Sequence, residues 1–229
     1  MTVASFPRTF PLGGFKAVTA ELIRRQSAEV LASGRDIGVD FGQPSWSFEW
    51  TTNRLYGTDL GVWRAWLSSL RGLTRYFLGY DPLVEYPIAY MPAGWGSLSR
   101  YGGGSFDGTC TVTAIGNSGV SGATRDSISV SNLPVGLKIN PGDNFGLVQS
   151  GKYSLHRVLD TAQITASGTG TLTMWVEPEV PAGFTTSATG NFYRASAKFR
   201  LVAKKGFEAD ASGRNRPGQG SFTGLSTNL

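Results

Sequence analysis

Apolar and polar residues alternate with period two along much of this chain, and the alternation predicts most of its elements. Over residues 45–51, Trp46, Phe48 and Trp50 fall on one side and Ser45, Ser47, Glu49 and Thr51 on the other, as in a strand buried on one face. The period then changes. Leu60, Trp63, Trp66, Leu67 and Leu70 recur at helical spacing, with Thr58 placed to cap the start, Asp59 in the first turn, Arg71 in the last and Gly72 just beyond. This predicts one amphipathic helix over residues 59–71. Residues 74–78 read as another strand, while Pro82, Pro87 and Pro92 make 81–95 a loop or an edge strand. Residues 16–32 fit a helix or, through Val18, Ala20 and Leu22, a strand, and Ser33-Gly34 ends the segment. At the N-terminus, Phe6, Phe10 and Phe15 stand among Pro7, Pro11, Gly13 and Gly14, an extended arm whose rings must dock on something.

Gly102-Gly103-Gly104 reads as a hinge and a domain boundary, and the texture changes after it. Short alternating runs follow over 106–115, 127–131, 155–159, 161–166 and 171–177, with Pro141-Gly142-Asp143 as a tight turn. Short strands at this spacing predict a small barrel or sandwich over 106–183. A long strand over 194–204 puts Ala195, Ala197, Phe199, Leu201 and Ala203 on one side and Arg194, Ser196, Lys198, Arg200, Val202 and Lys204 on the other. The remainder, 207–229, has the Gly, Ser, Asn and Arg content of an extended arm.

Composition supports a mainly β chain. Of 229 residues 31 are glycine, about twice the usual share, and charged residues are 16%, below the usual quarter or so. The net charge of +5 is not spread evenly. Residues 1–193 balance 14 Lys/Arg against 14 Asp/Glu, and 194–229 hold seven basic and two acidic residues. The charge therefore marks one strand face and a tail, a docking surface for acidic groups of a protein neighbour rather than a general affinity for nucleic acid. No run of 18 apolar residues predicts a membrane span, and residues 1–12 lack the apolar core of a secretory signal.

The chemistry-bearing residues are few. One cysteine and one histidine exclude a disulfide framework and a His-cluster metal site. His156 lacks a nucleophile motif and reads as a surface or interface strand residue, and Cys110 as a buried, inert thiol. Glu177 and Glu179 flank Pro178, a spacing that chance supplies easily. No catalytic residue, cofactor site or metal site is expected. The aromatics are more informative, because residues 41–101 hold 14 of the 27. Trp46, Trp50, Trp63 and Trp66 belong to predicted inner faces. Tyr80, Tyr86, Tyr90, Trp95 and Tyr101 lie in loops, where such side chains favour protein contacts or sugar.

Taken in order, Trp46, Trp50, Asp59, the run Trp66-Leu67-Ser68-Ser69-Leu70-Arg71-Gly72, Tyr76-Phe77 and Tyr80-Asp81-Pro82 resemble the distal tail proteins of long-tailed bacteriophages. Further along, the run 137–143, Tyr153, His156-Arg157-Val158, Thr171-Leu172-Thr173, Pro178 and 198–201 follow the order of the small β-barrel those proteins carry. The similarity spans most of 6–203 and rests on diffuse patterns; the triple glycine and the residues after 203 lie outside it. The resemblance implies a tail-tube-like β-sandwich or barrel with one helix over 1–95, completed by 186–206, and an attached small barrel over 106–183. It also implies a structural virion protein of the tail tip or baseplate, made in the host cytoplasm. Such a protein forms a ring of six copies that joins the tail tube to the hub and to receptor-binding or fibre proteins. Arg194, Lys198, Arg200, Lys204, Tyr86, Tyr90, Trp95 and Tyr101 are the expected subunit contacts. A carbohydrate- or receptor-binding β-sandwich module is the alternative.

Overall fold

The computed structural model describes residues 5–11, 14–24, 26–30, 36–40, 42–119, 125–205 and 219–227. The fold is mainly β with one α-helix. In chain order the first elements are β1 (Phe15–Ile23), β2 (Gln26–Val30), β3 (Asp36–Asp40), β4 (Ser45–Thr52), α1 (Gly57–Ser69) and β5 (Tyr76–Gly79). The segment that admitted helix or strand is thus extended throughout its described part. After a long irregular segment come β6 (Thr109–Gly116), β7 (Ser127–Ser131), β8 (Lys138–Ile139), β9 (Asn144–Gln149) and β10 (Lys152–Val158). The last are β11 (Ile164–Thr165), β12 (Leu172–Glu177), β13 (Thr189–Asn191), β14 (Ala197–Lys205) and β15 (Ser221–Ser226).

Two bodies result. One is a five-stranded antiparallel sheet in the order β1-β4-β15-β14-β5 with α1 packed on it; the other is a closed barrel in the order β10-β12-β7-β6-β13-β9. The small pairs β8–β11 and β2–β3 complete the topology. Two expectations need correction. Ser221–Ser226 is not part of an extended arm but the middle strand of the sheet, hydrogen-bonded to β4 and β14. The return from barrel to sheet begins after Arg194 and not at 186, because β13 still pairs with β6 and β9.

The sheet buries an aromatic cluster under α1. Trp46, Phe48 and Trp50 point inward with Phe77, Phe199 and Phe222, and Leu60, Trp63, Trp66 and Leu67 of α1 close over them. Gly79 and Gly224 stand where a side chain would collide: a Cβ at Gly79 would lie 2.5 Å from the Phe199 ring, and one at Gly224 2.9 Å from Phe77. The N-terminal arm docks here, on its own chain. Phe10 lies 5.3 Å from Trp50 and 5.8 Å from Trp66, centroid to centroid, and the Trp66 indole N–H donates to the Thr9 carbonyl at 2.8 Å. The caps of α1 differ from the sequence expectation. Tyr56, not Thr58, is the N-cap and makes no side-chain cap bond, and Arg71 takes the left-handed position (φ 50°) expected of Gly72.

One joint ties the two bodies together and two more fasten the long connection between them to the barrel. At the first, the Trp46 indole N–H donates to the Leu155 carbonyl of β10 at 2.7 Å, and Leu155 itself is buried in the sheet's cluster. At the second, Gly102, Gly103 and Gly104 turn through positive φ, and Arg100 pins that turn to the barrel by donating to the carbonyls of Thr109 (2.7 Å) and Asn132 (3.2 Å). The triple glycine is therefore a fastened turn and not an open hinge. At the third, the wholly buried Asp143 carboxylate accepts from the backbone N–H of Ile88 (2.8 Å) and of Asn140 (2.7 Å). Asp143→Ala leaves both donors unmatched and is expected to cost about 2 kcal/mol in urea unfolding at pH 7. An unchanged midpoint would show that water replaces the carboxylate.

Candidate interaction surface

The one histidine and the one cysteine both lie buried in the barrel. His156 lies inside the barrel, wholly buried, and not on a surface strand face. Its Nδ1 bonds the Pro178 carbonyl at 2.7 Å, and burial pulls its pKa down to about 4. Cys110 is buried in the same barrel, and burial pushes its thiol well above the usual range. Glu177 pairs with Arg24 along a cleft of about 450 Å³ between the bodies, which Trp175, Pro178 and Glu179 also line. An acid held in an ion pair is poorly placed as a proton donor.

The four basic residues expected on one face of β14 do not share it. Arg194 precedes the strand, in a left-handed conformation (φ 48°). Its N–H donates to the Glu85 carbonyl at 2.9 Å, and its Nε and Nη2 lie 3.0 and 2.9 Å from the Glu85 carboxylate. The guanidinium also stacks 5.5 Å from the Tyr80 ring and 5.0 Å from Tyr193. Arg194 is therefore engaged within its own chain. Lys204 is diverted by a bulge. The pairing of β14 with β15 shifts between Leu201 and Ala203, so Lys204 stands opposite the buried Phe222, on the helix side of the sheet. An extra residue inverts every side chain beyond it.

Lys198 and Arg200 keep the outer face. Lys198 Nζ lies 5.9 Å from the Tyr153 ring, and the Arg200 guanidinium lies 4.8 Å from the Tyr76 ring while donating to its hydroxyl. Among the described residues neither has a carboxylate partner. Their face of the sheet is uncovered. It carries Thr19, Glu21 and Ile23 of β1, Ser47 and Glu49 of β4, Thr223 and Leu225 of β15, and Tyr76 and Leu78 of β5, none of them buried. The opposite face of β4, β15, β14 and β5 is buried at nearly every position. Glu21, Glu49 and Tyr76 were not among the expected contacts, because only the strand register brings them to this face.

The loop aromatics divide. Tyr86 lies 5.3 Å from Trp95 and 4.8 Å from Tyr193, and Trp95 lies 4.7 Å from the buried Phe106. Tyr90 stacks on Trp95 at 5.3 Å and its hydroxyl accepts from the Lys138 N–H at 2.9 Å. Tyr86, Tyr90 and Trp95 thus brace the long connection against the barrel and are half-buried there. Tyr101, 52% exposed, is the one of the four that stands free in solvent. No protein-family model matches the chain, and no curated protein matches it.

Proposed function

We propose that this chain is a structural ring protein of a phage tail tip, joining the tail tube to the hub and receptor-binding parts. The observation that carries the reading is the uncovered sheet face. A five-stranded sheet with α1 on one side leaves an outer face on which, among the described residues, Glu21 of β1 and Glu49 of β4 have no cation partner and Lys198 and Arg200 of β14 no carboxylate. A closed barrel fused to such a sheet gives each copy a second body to hold another component. A head-to-tail contact repeated around an axis closes into a ring, and the resemblance of residues 6–203 to distal tail proteins gives that ring its place in the virion.

The carbohydrate-binding alternative leaned on loop aromatics, and Tyr86, Tyr90 and Trp95 are packed within the chain. Negative-stain images and light-scattering mass of the purified protein separate the two. Rings with a central opening, of a mass near six copies, are expected. A monomer at all concentrations that binds glycans would overturn the proposal.

A further inference from the structure

We infer that the two sides of the uncovered sheet face are the two halves of a single contact between copies: the acidic β1–β4 side of one copy docks against the basic β14–β5 side of the next. The inference rests on the ring reading and adds the partner and residues of its contact.

Strand register carries the argument. One row crosses the whole sheet: Glu21 stands opposite Ser47, Ser47 opposite Leu225, Leu225 opposite Arg200, and Arg200 opposite Tyr76. Within a copy Glu21 and Arg200 are three strand spacings apart, about 14 Å. That is too far for an ion pair and beyond the screening length of about 8 Å at physiological salt. Glu21 and Glu49 have no cation partner among the described residues, and Lys198 and Arg200 no carboxylate. Among the described residues the opposite charges of this face are therefore sorted to its two sides and paired on neither. The next row agrees. Ile23 stands opposite Ser45 at the β1 edge, and Lys198 opposite Leu78 at the β5 edge. With the rows of two copies aligned and the β1 edge of one laid over the outer face of the next, Glu21 approaches the Tyr76–Arg200 pair and the exposed Ile23 approaches Leu78, so acid meets base in one row and apolar meets apolar in the other.

The edges are also unlike. Beside β5 runs the N-terminal segment, with Leu78 N–H donating to the Arg8 carbonyl at 2.8 Å and with Pro7 and Pro11 unable to donate. The β1 edge carries no proline, and its outer side pairs with no described strand over its nine residues. A two-fold contact through β1 would bring Glu21 and Glu49 of both copies together, like charge against like. A head-to-tail contact brings acid to base.

Charge reversal tests the pairing. Glu21→Arg/Glu49→Arg makes both sides basic, and Lys198→Glu/Arg200→Glu makes both acidic. In sedimentation velocity at physiological salt, each double variant is expected to show at least a tenfold lower assembled fraction than the unaltered protein. Their equimolar mixture is expected to assemble again, with the two variants alternating. Near-ultraviolet circular dichroism checks that each variant is folded. Glu21 and Glu49 are exposed, so if the Arg200 variant fails to fold, the acid-side variant and its loss of assembly decide the matter alone. Rings that persist in the folded acid-side variant, or a folded mixture that stays dissociated, overturn this inference and leave the ring standing. An unaltered protein that never forms rings overturns both.

Discussion

A chain ending at Lys205 is expected to lose the cooperative fold of the helix-and-sheet body. The lost segment contains β15, which is hydrogen-bonded to β4 along one side and to β14 along the other. Without it the pairs β1–β4 and β14–β5 have no ladder between them. Phe222 leaves with it; its ring stacks on Trp50 at 5.2 Å and lies 5.7 Å from both Trp63 and Trp66. Ser226 Oγ, which accepts the Trp46 backbone N–H at 2.7 Å, leaves too, as does the Gly220 carbonyl that accepts from Thr52 N–H at 2.9 Å. Truncating a buried Phe alone costs about 3–5 kcal/mol, and a whole domain is stable by roughly 5–15 kcal/mol. Removing the full strand therefore exceeds what the body can absorb. Tryptophan emission reads the outcome, because Trp46, Trp50, Trp63 and Trp66 are all buried in this cluster. The truncated chain is expected to emit at the red-shifted wavelength of exposed indole. Phe222→Ala in the full chain is expected to lower the unfolding free energy by about 4 kcal/mol. Native-like emission from the truncated chain would show that the sheet closes without β15.

β15 also shows where the sequence stops being legible. Its buried positions are Phe222, Gly224 and Ser226, one large residue among three. Gly224 is held small by Phe77 and Trp50, whose rings fill the space a side chain would take. A strand whose core face is vacated for its neighbours' rings has no apolar alternation and reads as a polar tail. β4 and α1 were legible for the opposite reason: each supplies its own Trp and Phe to the core, so the period is written in its residues. Three strands of the barrel, β6, β7 and β12, were legible likewise, through Cys110 and Val112, Ile128 and Val130, and Met174 and Val176, whereas β9 and β13 were not among the expected strands.

The interaction surface was only half legible. Placing Lys198 and Arg200 on the outer face needed only period two. Lys204 was misplaced by a bulge, which adds a residue without a mark in the sequence. Arg194 was misplaced because a left-handed turn, held by Glu85 from 109 positions away, separates it from the strand. Tyr86 looked available because its packing partner Tyr193 is also distant in sequence, and no periodicity marks the contact of Trp95 with Phe106. Glu21, at the far side of the face, needed three strand pairings to be known before it could be set in one row with Arg200.

Acid is expected to weaken the protein through His156. An imidazole in the unfolded chain titrates near 6.5, and in the folded barrel burial pulls it down to about 4, its Nδ1 bond to the Pro178 carbonyl offsetting only part of the shift. Between those values the unfolded chain takes up a proton that the folded one refuses. The contribution of the neutral ring is thus complete above about pH 6.5 and is lost progressively as pH falls toward 4, to a total of about 3 kcal/mol. Asp81 and Asp143 act in the other direction. Burial raises both carboxyls in spite of the backbone N–H bonds they accept, so protonating them in acid favours the folded chain. A raw pH profile mixes these effects, and a variant separates them. His156→Gln keeps an N–H donor for Pro178 and has nothing to titrate. Urea unfolding of both proteins at pH 7.5 and 4.5 is expected to show the unaltered chain losing 2–3 kcal/mol more than the variant, on the order set by that shift. Equal losses would mean that water or a neighbouring group reaches Nε2 and stabilises the charged ring. The effect bears on assembly, because β10 carries both His156 and Leu155, whose carbonyl accepts from the Trp46 indole. A charge forced into the barrel at His156 strains the strand on which the barrel meets the sheet, and the joint between the two bodies is expected to loosen over the same pH range.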